Sequence, residues 1–282
     1  MTLSSILESS RTLLESSGID NATAEAEWIV GHSLDLTRSE LNLDPSRPVP
    51  EHQAARIRDA VGRRRKRVPL QYILGDVPFR DCSITVTSDV LIPRPETEWI
   101  VDTMADTLPS DIESILDIGT GSGAIATALA SACPRVTVTG LDVSPKALGV
   151  AKRNATENGV AASVRLLLGD LNALPFLPDS FDCIVSNPPY IRSKDIDGLE
   201  PEVRDHEPML ALDGGPDGMD SYRSIARQCR AILRPQGLLH AELPGYPPGP
   251  IRELFVNAGY QNVDIRDDLS GKPRHLTAQN PS

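Results

Sequence analysis

The chain has 282 residues, with 28 Lys and Arg against 39 Asp and Glu for a net charge of −11, and it is 40% hydrophobic and 24% charged. That composition is globular and excludes disorder, collagen or coiled coil as a global description, while the length suits one large domain or two unequal ones. No basic leader followed by an apolar stretch opens the chain and no uncharged apolar run of ~18 residues occurs, so a cytoplasmic location with no membrane association is expected.

From Leu3 to about Leu70 apolar residues recur at helical spacing: Leu3, Ile6 and Leu7, then Leu13 and Leu14, then Ala22 to Leu34. Pro45, Pro48 and Pro50 interrupt the run before a third helix through Arg67. Residues 1–75 hold ten basic and ten acidic side chains, so the net −11 falls on the rest of the chain. Seven of those ten cations lie between Arg56 and Arg67. They form either a contact face for a negatively charged partner or a solvated helix face. Alternation at Phe79, Cys82, Ile84 and Val86 predicts a hairpin within 76–90, read as a connector.

Beyond Ile92 and a helix, strand and helix patterns alternate: strand 114–118, helix 124–132, strand 136–142, helix 145–158, strands 164–170 and 181–186, helix 221–233, strand 238–243, helix 251–258 and strand 263–269. Repeated βα units predict an α/β fold with a doubly wound, mainly parallel sheet, and ligands bind such sheets beyond the carboxyl ends of the strands. Cys82, Cys133, Cys183 and Cys229 show no C-x-x-C spacing and no clustered histidine, so reduced thiols and no metal site are expected. Aromatic residues make up only 4%, which is poor stacking surface for single-stranded nucleic acid.

The first of these strands runs into Asp117-Ile-Gly119-Thr120-Gly121-Ser122-Gly123-Ala124, a glycine turn opening a helix, where backbone N–H groups can meet a cofactor closely. Gly119, Gly121 and Ala124 also fit the dinucleotide fingerprint, with Asp142 in register as a ribose-binding acid, so nicotinamide and S-adenosylmethionine both remain open at this point. Asn187-Pro188-Pro189-Tyr190, directly after strand 181–186, separates them. Two prolines fix the backbone where the strand leaves the sheet. An amide or ring nitrogen is a poor nucleophile and has to be gripped by its N–H groups. Asn187 can accept one through its side-chain oxygen, the Pro188 carbonyl the other, and Tyr190 can wall the planar group.

The chain is identified as a member of the release-factor glutamine N5-methyltransferase (HemK/PrmC) family, within the class I S-adenosylmethionine-dependent methyltransferases. The resemblance runs nearly end to end, through Pro69 to Gly75, Leu91-Ile-Pro-Arg-Pro-Glu-Thr-Glu98, Leu116 to Gly123, Val185 to Ile191, Glu207-Pro208 with Ala211-Leu212, Gly215 to Gly218 with Tyr222-Arg223, and Asp268 to Gly271 with Arg274. It implies a Rossmann-like catalytic domain at 91–282, a hairpin connector at 76–90, and a helical domain at 1–75 that docks the substrate. It also implies methyl transfer from S-adenosylmethionine to the glutamine of the Gly-Gly-Gln loop in class 1 peptide-chain release factors; separately, a monomer is expected. Gly119, Thr120, Gly121, Ser122 and Gly123 would cradle the methionine part of the cofactor and Asp142 the ribose hydroxyls. Asp170 and Leu171 would line the adenine, and Asn187 to Tyr190 would grip the glutamine, with Asn187 also bordering the cofactor.

Members of the family can carry an aromatic residue at Leu171, and the segment Ala241-Glu242-Leu-Pro-Gly-Tyr-Pro-Pro-Gly249 departs from the family pattern. The Leu91 to Glu98 motif favours a release factor over a ribosomal protein as substrate, and Arg94 and Glu96 are candidates for cofactor or substrate contact. Adenine-N6 methylation of nucleic acid uses the same Asn-Pro-Pro-Tyr logic on a flipped base. Against it stands the acidic catalytic region, where a duplex binder needs an electropositive groove, so no nucleic-acid substrate is expected. A non-enzymatic S-adenosylmethionine-binding adaptor is the third alternative, and it predicts that Asn187 is dispensable.

Overall fold

A computed structural model describes residues 1–245 and 247–281. Two compact units divide the chain: residues 1–76 together with 200–206, and residues 77–199 together with 207 onward.

The first unit is helical. Its elements are α1 (Leu3–Glu15), α2 (Ala22–Leu34), α3 (Arg38–Leu43), α4 (Glu51–Arg65) and α5 (Leu70–Leu74), joined by the later short helix Pro201–Arg204. Thr2 starts α1 with a capping box: its hydroxyl accepts from the Ser5 N–H while the Ser5 hydroxyl accepts from its own N–H. Leu3, Ile6 and Leu14 pack with Ile29 and Val30 of α2 and Ile57 and Val61 of α4 into one core. The sequence pattern anticipates α1, α2 and α4. It misses α3 and α5, which are too short for a 3.6-residue period to register.

The cationic run at Arg56–Arg67 is only partly a face. Arg64 is 6% exposed, with its guanidinium between Glu25 and, at 2.8 Å, Glu202. Arg67 bridges to Glu202 at 2.9 Å and donates to the Gly18 carbonyl, while Arg63 donates to the Tyr72 carbonyl and Arg65 to the Ser17 hydroxyl. Much of this charge therefore ties the helices of the unit together.

The second unit is an α/β sandwich. A two-stranded hairpin, β1 (Asp76–Phe79) and β2 (Cys82–Thr85), precedes α6 (Pro95–Thr107) and a seven-stranded sheet. The sheet and its covering helices follow as β3 (Ser114–Ile118), α7 (Ala124–Ala132), β4 (Thr137–Asp142), α8 (Pro145–Glu157), β5 (Val164–Leu168), β6 (Phe181–Ser186), α9 (Asp220–Ile232), β7 (Leu233–Glu242), α10 (Gly249–Asn257), β8 (Gln261–Asp267) and β9 (Pro273–Gln279). Strand order is β5-β4-β3-β6-β7-β9-β8. The first five strands are parallel, and β9 runs antiparallel to both β7 and β8. The chain steps outward from β3 through β4 to β5, then returns to the other side of β3 as β6, which opens a crevice at the carboxyl ends of these strands.

Residues 77 onward of the hairpin belong to this unit, held by two asparagines of the α8 segment. Asn154, fully buried, accepts from the Thr85 N–H at 2.8 Å and donates to the Thr85 carbonyl at 3.0 Å, and Asn158 does the same for Ser83 at 3.1 and 2.8 Å. Strand β9 is an addition to the sequence reading. Its Pro273-Arg-His start carries no apolar alternation, yet His275, Leu276 and Ala278 are buried between β7 and β8.

Candidate active site

The floor of the crevice is the glycine turn. The N–H groups of Gly119 and Thr120 both donate to the Leu141 carbonyl at the end of β4, at 2.8 and 3.0 Å. Gly119, Gly121 and Gly123 have φ of +70°, +54° and +74°, which L side chains rarely adopt. Gly123 is needed for closeness as well, because a Cβ there would lie 2.9 Å from the Ala151 Cβ on α8. Asn154 adds a second Nδ2 bond, 2.8 Å to the Ser122 carbonyl, so one buried side chain pins both the turn and the hairpin.

Asp117 lies fully buried beneath the turn, its Oδ2 accepting from the Thr120 hydroxyl at 2.6 Å and its Oδ1 without a hydrogen-bond partner among the described residues. Burial, with a smaller push from Asp142, raises this carboxyl from its ordinary 3.8 to about 7. The folded state therefore holds a proton that the unfolded chain releases, and stability falls as pH rises from about 4 through 7. Asp117→Asn should match the wild type in melting temperature near pH 4 and exceed it at pH 8. A parallel pH dependence in the two proteins would refute this.

A cavity of about 430 Å3 opens above the turn, lined by Gly119 to Ser122, Asp142, Asp170, Leu171 and Asn187 to Pro189. Nearly every residue singled out from the sequence thus meets in one place. Gly123 and Tyr190 are not on its wall. The Asp142 carboxylate accepts from the Gly121 N–H through Oδ2 and from the Ser144 N–H through Oδ1, both at 2.8 Å, and each oxygen keeps a further lone pair. Asp170 caps the 3-10 turn Leu171–Ala173, accepting from the Asn172 N–H at 2.8 Å.

Asn187 follows β6, whose last residue, Ser186, donates its hydroxyl to the Ile118 carbonyl at 2.8 Å. The loop is braced from outside, as Ile191 N–H bonds the Leu212 carbonyl at 3.0 Å and Gly214 N–H bonds the Ile191 carbonyl at 2.8 Å. Gly214 has to be glycine, since a Cβ there would stand 2.7 Å from Tyr190 Cα and 2.8 Å from the Pro189 oxygen. Asn187 Nδ2 donates to the Thr97 hydroxyl at 3.0 Å, and that hydroxyl donates to Glu242 Oε2. The Tyr190 phenol reaches Glu242 Oε1 at 3.4 Å. Glu242 is 2% exposed, and burial lifts its carboxyl to about 7, with Glu96 adding to the shift and Arg274 opposing it.

Residues 5–75 match the family described as PrmC N-terminal domain, and residues 115–206 the family described as methyltransferase domain. The release factor glutamine methyltransferase of Geobacter sulfurreducens is 41% identical over 97% of this chain and 95% of that one. Its counterpart in Caulobacter vibrioides is 39% identical over 100% of this chain and 98% of that one. The chain belongs to the release factor glutamine methyltransferase family. A solved methyltransferase from Pyrococcus furiosus shares the fold, with a TM-score of 0.54 at 19% identity, covering 83% of this chain and 100% of that chain.

In this methyltransferase Arg94 and Glu96, candidates for ligand contact, are engaged elsewhere in the second unit and do not line the cavity. Arg94 bonds Glu207 at 2.6 Å and Glu96 lies 3.4 Å from Arg274, which also holds Asp268 at 3.1 Å. From the same motif Leu91, Pro93 and Thr97 line the wall, and Thr97 was given no role in the sequence reading. The divergent loop 244–250 contains Tyr246, which lies outside the described residues. The site suits S-adenosylmethionine: a glycine turn with close backbone approach, an acid at the end of the second parallel strand, and mixed polar and apolar walls.

Proposed function

We propose that this chain transfers a methyl group from S-adenosylmethionine to the side-chain amide nitrogen of the glutamine in the Gly-Gly-Gln motif of class 1 peptide-chain release factors. The observation that carries the reading is Asn187 at the cavity wall. Its Nδ2 is committed to Thr97, and its Oδ1 makes no hydrogen bond among the described residues. That oxygen is an acceptor for one glutamine N–H, and the Pro188 carbonyl is the second acceptor.

The bound cofactor supplies an activated methyl group, and the protein supplies placement. Holding both amide N–H groups turns the nitrogen lone pair toward the methyl carbon, which is worth on the order of 7 kcal/mol or more of barrier when attack geometry is achieved. The nitrogen becomes acidic only as the new bond forms, so its proton can pass to water and no buried base is required.

Asp142 is assigned to the ribose hydroxyls, with Gly119 to Gly123 around the methionine part and Asp170 and Leu171 at the adenine. Asp142→Ala should weaken S-adenosylmethionine binding roughly 10- to 100-fold, the scale of losing hydrogen bonds to a charged acceptor. Unchanged affinity in titration calorimetry would remove Asp142 from the cofactor site.

Methyl transfer from labelled S-adenosylmethionine to unmodified release factor, to the factor with its loop glutamine replaced by alanine, and to bulk RNA and DNA tests the whole reading. Label on the intact factor alone is expected. Label on nucleic acid, or on none of them, refutes it. The same proposal places the protein in the cytoplasm as a monomer, with the helical unit docking the factor. No described helix is long and apolar enough to cross a membrane. Because Arg64 is structural, docking is best probed by reversing the exposed charges of Arg56 and Lys66, which should raise the KM for the factor.

A further inference from the structure

We infer that Thr97 and Glu242 are positioning residues that decide which end of the Asn187 amide faces the substrate. The inference rests on the release-factor reading above and deepens it. A primary amide is nearly symmetric in shape but opposite in chemistry at its two ends: oxygen accepts and nitrogen donates. Turned by half a rotation, Asn187 would offer its NH2 to the incoming glutamine. It could then no longer accept the N–H that has to be held for the lone pair to face the methyl carbon. The backbone fixes where the side chain starts, and the two prolines fix the backbone, but neither sets this last torsion.

The hydrogen-bond chain sets it. Glu242 stands at the carboxyl end of β7, 2% exposed, and burial lifts its carboxyl to about 7, so above that pH it is ionised and has no proton to give. The Thr97 hydroxyl on α6 has one proton and donates it to Glu242 Oε2, which leaves the Thr97 oxygen as an acceptor. Facing it at 3.0 Å, the Asn187 side chain has to present Nδ2, so Oδ1 is turned the other way. The opposite orientation would place two acceptors against each other or draw the Thr97 proton away from a buried carboxylate. Either change leaves a buried polar group without its partner.

The same carboxylate takes the Tyr190 phenol on its other oxygen, so one buried acid orients both side chains of the Asn-Pro-Pro-Tyr loop. Thr97, Glu242 and Asn187 come from three separate elements, α6, β7 and the turn after β6. No local spacing links them, and this is why the relay is invisible until the chain is folded.

The experiment has a kinetic arm and a spectroscopic arm, both on the full chain and both at pH 8, where Glu242 is ionised. Thr97→Val keeps the shape and deletes the hydroxyl. It should lower kcat for methylation of unmodified release factor roughly 10- to 100-fold, the scale of one misdirected buried hydrogen bond. The KM for the factor and the Kd for S-adenosylmethionine should each stay within about twofold, because Asn187 acts on the barrier more than on binding. Thr97→Ser restores the hydroxyl and should restore kcat to within about threefold of wild type. Glu242→Gln replaces a pure acceptor by a group that can also donate, and should lower kcat by an intermediate factor.

In protein labelled with 15N-asparagine, the Asn187 side-chain NH2 resonance is assigned by its loss in Asn187→Ala. It should shift in Thr97→Val and return in Thr97→Ser. If the wild type labels the factor but Thr97→Val is as fast, or if serine is as slow as valine, the relay is overturned and the release-factor reading stands. If the wild type does not label the factor, that reading falls. The NMR arm then decides the relay by itself: an unmoved Asn187 resonance in Thr97→Val overturns it, and a shifted one upholds it.

Discussion

Asn187→Ala is expected to lower kcat on the release factor by about three orders of magnitude or more while leaving the Kd for S-adenosylmethionine within about twofold. The side chain borders the cavity, but its Nδ2 is spent on Thr97, and the groups assigned to the cofactor's polar parts lie on the glycine turn and at Asp142. What alanine removes is an acceptor for an amide N–H at the moment when delocalisation of the nitrogen lone pair has to be undone. Positioning effects of this kind appear in kcat, not in ground-state affinity for the donor. Single-turnover transfer and titration calorimetry on the same protein separate the two. A parallel loss of cofactor binding and rate would mean that Asn187 is chiefly part of the cofactor site.

The second large effect is on stability. In the first unit Arg64 sits between Glu25 and Glu202, with side-chain exposures of 7%, 16% and 18%. Truncating the central cation strands Glu25 in a poorly hydrated place and leaves Glu202 to Arg67 at 2.9 Å, and breaking such a buried pair from one side costs about 3 kcal/mol or more. Arg64→Ala should therefore lower the melting transition of the helical unit by ten degrees or more, on a scale of ~4–8 °C per kcal/mol for a domain of this size. The cost lies chiefly in the stranded Glu25 charge, so adding Glu25→Gln should recover much of the loss, whereas Glu202→Gln would take a partner from Arg67. Calorimetric scans of the single and double variants test this, and a single variant that melts with the wild type would show that the ion pairs contribute little.

Where chemistry is written in consecutive residues, the sequence was legible. The glycine turn, Asp142, Asp170 and the Asn-Pro-Pro-Tyr segment each lie at or just after the end of a strand whose apolar run is plain, and the sheet topology brings those strand ends together at one cavity. Boundaries were less clear. Strand β7 begins at Leu233, earlier than its apolar run, because Arg234 to Gln236 are exposed and carry no hydrophobic signal. Strand β9 escaped notice because an antiparallel strand inserted between β7 and β8 depends on long-range pairing that no local window contains. The supports of the site were hidden for the same reason. Asn154 acts on Thr85 and Ser122, Gly214 on Tyr190, and Glu242 on Thr97, each pair distant in the chain. Charge patterning misled at Arg64: seven cations in a short run read as a surface, yet one of them is an interior strut.

The helical unit is discontinuous, since residues 200–206 complete it and carry Glu202 to Arg64. A gene fragment ending at Asp76 would encode most of its helices but not its last carboxylate, and would be a poorer fold than the same helices in the whole chain. During synthesis the helices emerge first and wait, marginally stable, until the sheet strands β3 to β6 have followed and the closing segment leaves the ribosome. That segment is encoded between Tyr190 and Glu207, so the unit proposed to hold the factor reaches its final stability only after the strands that carry the glycine turn and Asn187 have been made.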